Sequence, residues 1–85
     1  MNMCIVSEYT CTFDVFKDLV EGNQEAFSKW VAEYELVKVN DHKSILLMNV
    51  TDMDACRAFM TTPEMREWDE ENGCVDIVYS MERVN

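Results

Sequence analysis

The sequence predicts an α+β fold whose elements follow one another in the order β-α-β-β-α-β. Three observations carry this prediction. Residues 45–48 form a continuous apolar run that is typical of a strand buried on both faces. Amphipathic helical stretches with start and stop signals stand on both sides of that run. A polar turn, Asn40 to Lys43, separates the run from another apolar stretch before it.

The first predicted strand spans residues 3–10 and leads into a helical crossover. The first half of this strand is apolar on both faces, and Thr12 after it is a plausible helix N-cap. The apolar face of the helix consists of Phe13, Phe16, Leu19 and Val20. Gly22 ends or kinks the helix, and Asn23 can cap a second short run from Gln24 to about Ala32. The crossover is therefore either one broken helix or two short helices.

The second and third predicted strands form an antiparallel hairpin. The second strand runs from Glu35 to Asp41, and the third contains the apolar run Ile45 to Met48. Since successive strand residues point to opposite faces, two of those four side chains are expected on each face of the sheet. Thr51 is expected to cap the next helix, with Asp54 in the position of the capping-box acid. The apolar stripe of that helix consists of Met53, Ala55, Cys56, Phe59 and Met60.

A second start signal and a strand complete the chain. Thr62 and Pro63 begin further helical turns, which Gly73 stops. Residues 75–83 then alternate as the fourth strand, with Val75, Ile77, Tyr79 and Met81 set against Asp76, Ser80 and Glu82. The complete order is that of the ferredoxin-like arrangement, a four-stranded antiparallel sheet with its helices on one face. Residues 1–85 are expected to form a single domain.

The charge of the chain argues against two classes of partner. The net charge is −10, and the seven basic residues are scattered along the sequence. Phosphate backbones and anionic membrane surfaces repel such a chain, so neither nucleic acid nor membrane is expected as a partner. No segment has the roughly 18–20 apolar residues that a membrane-spanning helix needs.

The cysteines carry no recognisable metal signature. None of Cys4, Cys11, Cys56 and Cys74 forms a C-x-x-C motif, and the single histidine is His42. We therefore predict no metal site and no cofactor. The N-terminus lacks the basic and apolar regions of a signal peptide. Free thiols in a reducing cytoplasm are the expected state of the cysteines, and the cytoplasm is the expected location.

The stretch from Thr51 to Gly73 resembles the second half of the dimeric α+β barrel superfamily. A short acidic turn, a helix that contains phenylalanine, a Thr-Pro-Glu restart and a glycine before the last strand carry the resemblance. Members include antibiotic-biosynthesis-monooxygenase-like proteins, which work without a cofactor, haem-degrading enzymes and lactone isomerases. The resemblance implies a homodimer with face-to-face sheets and a cleft between each sheet and its helices. The haem-degrading pattern is not matched, because no histidine follows Trp68 and residues 3–10 contain no asparagine.

An uncovered sheet face also predicts a homodimer. Both helical segments lie on one face, yet half of the apolar run in the third strand must point to the other. The first strand adds Cys4 and Val6, or Met3 and Ile5, to the uncovered face, and the fourth strand is expected to add Val78. Polar residues Asp76, Ser80 and Glu82 are expected there too. Apolar patches of this kind mark association sites, and two-fold symmetry is the commonest way to bury them.

Six residues are candidates for ligand binding: Tyr9, Trp30, Arg57, Trp68, Tyr79 and His42. Trp30 is expected on the second short helical run beside Phe27 and Val31. Each tryptophan is either a core residue or part of a pocket wall, and each tyrosine is either a satisfied core or rim residue or a hydroxyl in the cavity. His42 is either an acid–base group or a solvated turn residue. No catalytic residue is assigned.

The sequence leaves three functions open. The first is a homodimer that binds a small apolar or aromatic molecule in the cleft between sheet and helices. The second is a cofactor-free monooxygenase or isomerase of the same superfamily. The third is a non-catalytic interaction protein. A filled core around Trp30 and Trp68 would favour the third function, and a cavity with a polar group facing it would favour the first.

Overall fold

The computed structural model describes the whole chain, Met1 to Asn85. Its elements are β1 (Met3–Glu8), α1 (Phe13–Gly22), α2 (Gln24–Phe27), β2 (Val31–Asn40), β3 (Lys43–Val50), α3 (Met53–Met60), α4 (Pro63–Glu71) and β4 (Val75–Ser80). The strands form one antiparallel sheet in the order β2-β3-β1-β4. The predicted ferredoxin-like α+β fold is therefore confirmed, and each helical crossover consists of two helices. None of these helices is long and apolar enough to cross a membrane.

The second strand begins earlier than predicted. α2 ends at Phe27, and the amide of Trp30 donates to the carbonyl of Phe27 at 3.0 Å in a tight turn. Val31 then pairs with Val50 of β3, so it is a strand residue and not part of a helix face. The prediction of a helical run to Ala32 was wrong because the apolar residues around Trp30 fit both patterns, and pairing with β3 decides between them.

Thr12 and Asn23 occupy the N-cap positions of α1 and α2 as predicted, but neither side chain makes a capping hydrogen bond. The start signal at Thr62 is confirmed, and the one predicted at Thr51 is shifted by one residue. The Thr62 hydroxyl accepts from the amide of Met65 at 3.4 Å, with Pro63 in the first turn as predicted. The cap of α3 is Asp52, whose carboxylate accepts from the amide of Ala55 at 3.1 Å. Thr51 is not the cap because its amide donates to the carbonyl of Trp30 at 2.8 Å, which prolongs the strand pairing by one residue.

The helices cover one face of the sheet, and the main core lies beneath them. The buried strand residues on this covered face are Met3, Ile5, Ser7, Val31, Ser44, Met48 and Val50. The opposite face, called the open face below, carries Cys4, Val6, Val37, Ile45, Leu47, Val75, Ile77 and Tyr79. Two residues of the apolar run in β3 therefore point to each face, as predicted.

The fourth strand presents the opposite face from the one predicted. Val78 pairs with Ile5, and Asp76 pairs with Ser7, so both lie on the covered face. Ser80 also lies there, and Glu82 falls beyond the strand, which ends at Ser80. The prediction failed because alternation shows which residues share a face but not which face is covered. The correction makes the open face more apolar than expected.

Gly73 is the only residue with a positive φ, at 56°, and it joins α4 to β4. A Cβ at this position would lie 2.9 Å from Cγ2 of Thr10. We expect Gly73→Ala to lower the free energy of unfolding by at least the roughly 1–2 kcal/mol that an L-residue loses in the left-handed region. Urea unfolding followed by circular dichroism measures this change.

Gly22→Ala is the matched control for that substitution. Gly22 lies at the end of α1, and a Cβ there would meet no atom within 4 Å. The alanine should be neutral or stabilise the protein, by up to about 1 kcal/mol. Equal effects at both glycines would contradict the strain assigned to the turn at Gly73.

Candidate functional site

A cavity of about 80 Å³ lies between the covered face and the helices, and it is partly open to solvent. Phe16 and Leu19 of α1 and Phe59 of α3 line its helical side, and Ile5 and Leu46 line its sheet side. Eleven of its 15 lining residues are hydrophobic. A small apolar body is therefore the group that this space can take up.

One end of the cavity is polar. Besides the hydrophobic residues, the lining contains Ser7, Asn23, Asp69 and Asp76. The Ser7 hydroxyl donates to Oδ1 of Asp76, and the thiol of Cys74 donates to the same oxygen at 3.4 Å. The Asn23 amide nitrogen donates to the carbonyl of Leu19 at 2.8 Å. The pairing of β1 with β4 and the position of α4 bring Ser7, Asp69 and Asp76 together, whereas Asn23 lies between α1 and α2.

The environment of the polar end favours protonated groups. Burial raises the pKa of the Asp69 carboxyl, and the nearby charge of Asp76 raises it further. Burial also raises the pKa of the Cys74 thiol strongly, with the two carboxylates adding to the effect. Cys74 is therefore a thiol at neutral pH and acts as a hydrogen-bond donor.

Ligand atoms of Asp69, Cys74 and Asp76 all lie within 4.8 Å of one another, so these residues are the group that could hold a metal ion. We still expect no stoichiometric zinc in protein dialysed against a chelator. The group offers three ligands and no histidine, whereas closed zinc sites use four ligands. Elemental mass spectrometry checks this, and one zinc per chain after dialysis would contradict it.

Three predicted site residues belong to the core around the cavity. Trp30 lines the cavity, with its ring 6.0 Å from Phe27 and 5.5 Å from Phe59 between centroids. Tyr9 and Trp68 lie behind the lining residue Phe16, at 4.8 Å and 6.0 Å from its ring. Burial raises the pKa of Tyr9.

The other three predicted site residues lie away from the cavity lining. Tyr79 is on the open face, opposite Cys4. Arg57 is exposed on α3. His42 lies in the β2–β3 turn, where its Nδ1 is 2.9 Å from the carbonyl oxygen of Cys11. The structure thus brings Tyr9, Trp30 and Trp68 together around the cavity and leaves these three outside.

Sequence reasoning missed Asp69 and Asp76. Asp69 belongs to the acidic run Glu67 to Glu71, and a run of this kind on a helix usually indicates a solvated face. Its spacing of four from Met65, an inward-facing residue, was the available signal, because residues at i and i+4 share a helix face. For Asp76, the alternation of β4 gave no signal until the covered face was known.

Sequence comparison identifies no relative of this chain. No known protein family matches it. No curated protein matches it either.

Solved structures share its fold. SnoaB, a cofactor-independent oxygenase from Streptomyces nogalater, superposes with a TM-score of 0.65 at 11% identity, over 98% of this chain and 93% of that one. A candidate antibiotic biosynthesis monooxygenase from Deinococcus radiodurans gives a TM-score of 0.62 at 6% identity, over 98% and 93%. A further antibiotic biosynthesis monooxygenase gives 0.64 at 15% identity, over the full length of both chains. This chain therefore has the ferredoxin-like α+β fold of antibiotic-biosynthesis-monooxygenase-like structures.

Proposed function

We propose that this chain binds a small molecule with an apolar or aromatic body in the cavity between sheet and helices. The observation that supports this proposal is that a space lined by 11 hydrophobic residues stays unfilled. Protein interiors are close-packed and contain few voids larger than a water molecule. A purely structural core around Trp30 would be expected to close this space, so the cavity supports binding over the interaction-protein alternative.

The size of the cavity limits the ligand. Its volume of about 80 Å³ is roughly half that of the engineered ~150 Å³ cavity that takes up benzene. A single ring that extends partly through the open mouth is the largest body that fits without rearrangement. We therefore choose 2-phenylethanol, a neutral molecule with one ring, as the test ligand.

Calorimetric titration with 2-phenylethanol tests the proposal, together with a cavity-filling variant. Leu19→Trp places a large side chain in the lining and should abolish binding. Val15→Trp is the matched control, because Val15 lies on the same helix, is 41% exposed and does not line the cavity. Loss of binding in the first variant alone supports the cavity as the site. Absence of binding by the unmodified protein, or equal loss in both variants, would overturn it.

A cofactor-free oxygenase is the second candidate, and its support is the fold shared with the cofactor-independent oxygenase SnoaB. One reaction of this class that balances without a cofactor turns a substrate methylene into a carbonyl: two C–H bonds and the O–O bond break, a C=O bond forms, and the second oxygen atom leaves as water. The substrate supplies all the electrons. Oxygen uptake with anthrone, compared between the unmodified protein and Leu19→Trp, tests this function. The three fused rings of anthrone are larger than the cavity of about 80 Å³. We therefore favour the binding of a single-ring ligand over this oxygenase function.

The open face supports a homodimer as the functional unit. Val75 is 65% exposed, Ile77 53% and Tyr79 51%, and they adjoin the half-buried Val6 and Leu47. A continuous apolar surface of this kind marks an association site. A chain of this length also gains stability from additional burial. We propose that two copies bury their open faces against each other about a two-fold axis.

The thiols support a cytoplasmic location. All four cysteines are free. Because disulfides are rare in reducing compartments, unpaired cysteines in a small domain are what the cytoplasm favours.

A further inference from the structure

We propose that the sulfur atoms of Met3, Cys56 and Met60 bind one Cu(I) ion in the core beside the cavity. This site is separate from the proposed binding of a small molecule and does not depend on it. It narrows the sequence prediction of no metal site to ions that take nitrogen or oxygen ligands, so the zinc result expected above is unaffected.

The three sulfur atoms come from two elements that pack against each other. Cys56 and Met60 are four residues apart in α3 and therefore share one side of the helix. Met3 is a buried residue of β1 on the covered face. The Cys56 sulfur is 3.8 Å from the Met3 sulfur and 3.8 Å from the Met60 sulfur. One thiol and two thioethers are thus in direct contact.

The Cys56 thiol is buried with weak hydrogen-bond partners. Cys56 is 1% exposed, and its thiol donates to the two thioether sulfurs and to no oxygen or nitrogen atom. Thioethers are weak acceptors, so the thiol gives up little when it exchanges its proton for a metal ion. Burial raises the pKa of this thiol, so it loses the proton to solvent only when a cation takes its place.

The spacing of the sulfur atoms suits a shared ion. Metal–sulfur bonds in zinc sites are about 2.3 Å long. With bonds of about this length, two sulfur atoms 3.8 Å apart make an angle of roughly 110° at the ion. This angle is close to those of tetrahedral and trigonal coordination, so the ion requires no large movement of its ligands.

The ligands and their surroundings select a soft ion with a single charge. Thiolate and thioether ligands favour Cu(I), whereas magnesium, calcium and manganese prefer oxygen. The Cys56 thiolate neutralises the one charge of Cu(I), and an apolar core accepts an uncharged complex far more readily than a charged one. A divalent ion at the same sulfurs would leave one positive charge buried without a partner.

The cavity gives the ion a route to the buried thiol. Met60 lines this cavity, which is partly open to solvent. Met48 also lines it and lies directly opposite Met3 in the β1–β3 register. A Cu(I) ion that enters the cavity therefore meets thioethers before it reaches Cys56.

Competition with the coloured Cu(I) chelator bathocuproine disulfonate, under nitrogen and with ascorbate as reductant, tests the proposal. The unmodified protein should withdraw one Cu(I) per chain from the chelator. Cys56→Ser should abolish this withdrawal, and Cys11→Ser, which removes a half-buried free thiol outside the group, should not. Equal loss in both variants would mean binding by thiols in general. No withdrawal by the unmodified protein would mean that the three sulfurs only pack together. Either result overturns the site.

Met60→Leu tests a thioether ligand in a variant that should fold, because leucine and methionine have similar volumes. It should lower the affinity for Cu(I) about tenfold or more, since even residues that only orient a metal ligand contribute that much. Met65→Leu is the matched control, because Met65 lines the same cavity but is not a sulfur partner of Cys56. If Cys56→Ser does not fold, this pair decides, and equal affinities of the two leucine variants would overturn the site.

X-ray absorption at the copper edge identifies the ligands of the bound ion. Sulfur neighbours alone support the site, whereas nitrogen or oxygen neighbours would place the ion elsewhere and overturn it. An equal amount of zinc should not displace Cu(I), because zinc is bound by thiolate, imidazole and carboxylate ligands rather than thioethers. Displacement by zinc would contradict the assignment of the two methionines as ligands.

Discussion

Replacing Met48 with alanine is expected to lower the free energy of unfolding by about 2–5 kcal/mol, the range for large-to-small changes in a protein core. Met48 is 4% exposed and lies in the centre of the sheet, where it pairs with Met3 of β1 and Tyr34 of β2. It also lines the cavity, so the truncation enlarges an existing space that neighbouring side chains do not fill. Urea unfolding followed by tryptophan fluorescence measures the change.

Met53→Ala is the control for the same chemical truncation. Met53 begins α3 and is 41% exposed. Substitutions at exposed positions usually change stability by less than about 0.5 kcal/mol. A Met48→Ala variant as stable as Met53→Ala would mean that β3 does not lie in the core. It would also contradict the position of the cavity, which Met48 lines.

Replacing Leu47 with glutamate is expected to disrupt the proposed dimer and leave the protein a monomer. Leu47 is in the middle of the open face, opposite Cys4 of β1 and Glu35 of β2. Two-fold symmetry introduces the new charge twice into the interface. Each substitution also removes roughly 1.5–3 kcal/mol of apolar burial from the dimer. The fold of each chain should persist, because the side chain is not part of the core beneath the helices.

Sedimentation equilibrium over a range of concentrations measures this result. The unmodified protein should sediment at twice its chain mass of 10.0 kDa, and Leu47→Glu at the chain mass. Asn85→Glu makes the same change of charge at the exposed C-terminus and should remain a dimer. A mass for the unmodified protein that stays at the single-chain value as its concentration rises would disprove the dimer.

The fold could be predicted because its signals are local. The apolar run in β3, the Thr62 cap and the stop at Gly73 each need only a few neighbouring residues to be recognised. The errors arose where pairing between distant segments decided the outcome. Val31 is a strand residue because Val50 lies beside it, and the amide of Thr51 is already bound to the carbonyl of Trp30.

The candidate site was harder to predict from the sequence than the fold, because it too depends on pairing between distant segments. Trp30 was predicted as a candidate site residue because a large aromatic residue between apolar neighbours indicates a core or a pocket wall. The polar end depends on the contact of Ser7 with Asp76, which are 69 positions apart. Only the β1–β4 register shows that these residues share a face, and that the face is the covered one.

The position of β4 has a consequence for how the protein behaves in acid. β4 is an edge strand, so the backbone groups on one side of it have no strand partner. Unpaired edges recruit strands from other molecules, and charge is one of the means by which proteins prevent this. Here the net charge of −10 keeps the molecules apart at neutral pH. As the pH falls toward about 4, the carboxylates become protonated and this repulsion disappears. Acidic conditions should therefore promote edge-to-edge aggregation through β4 before they unfold the core.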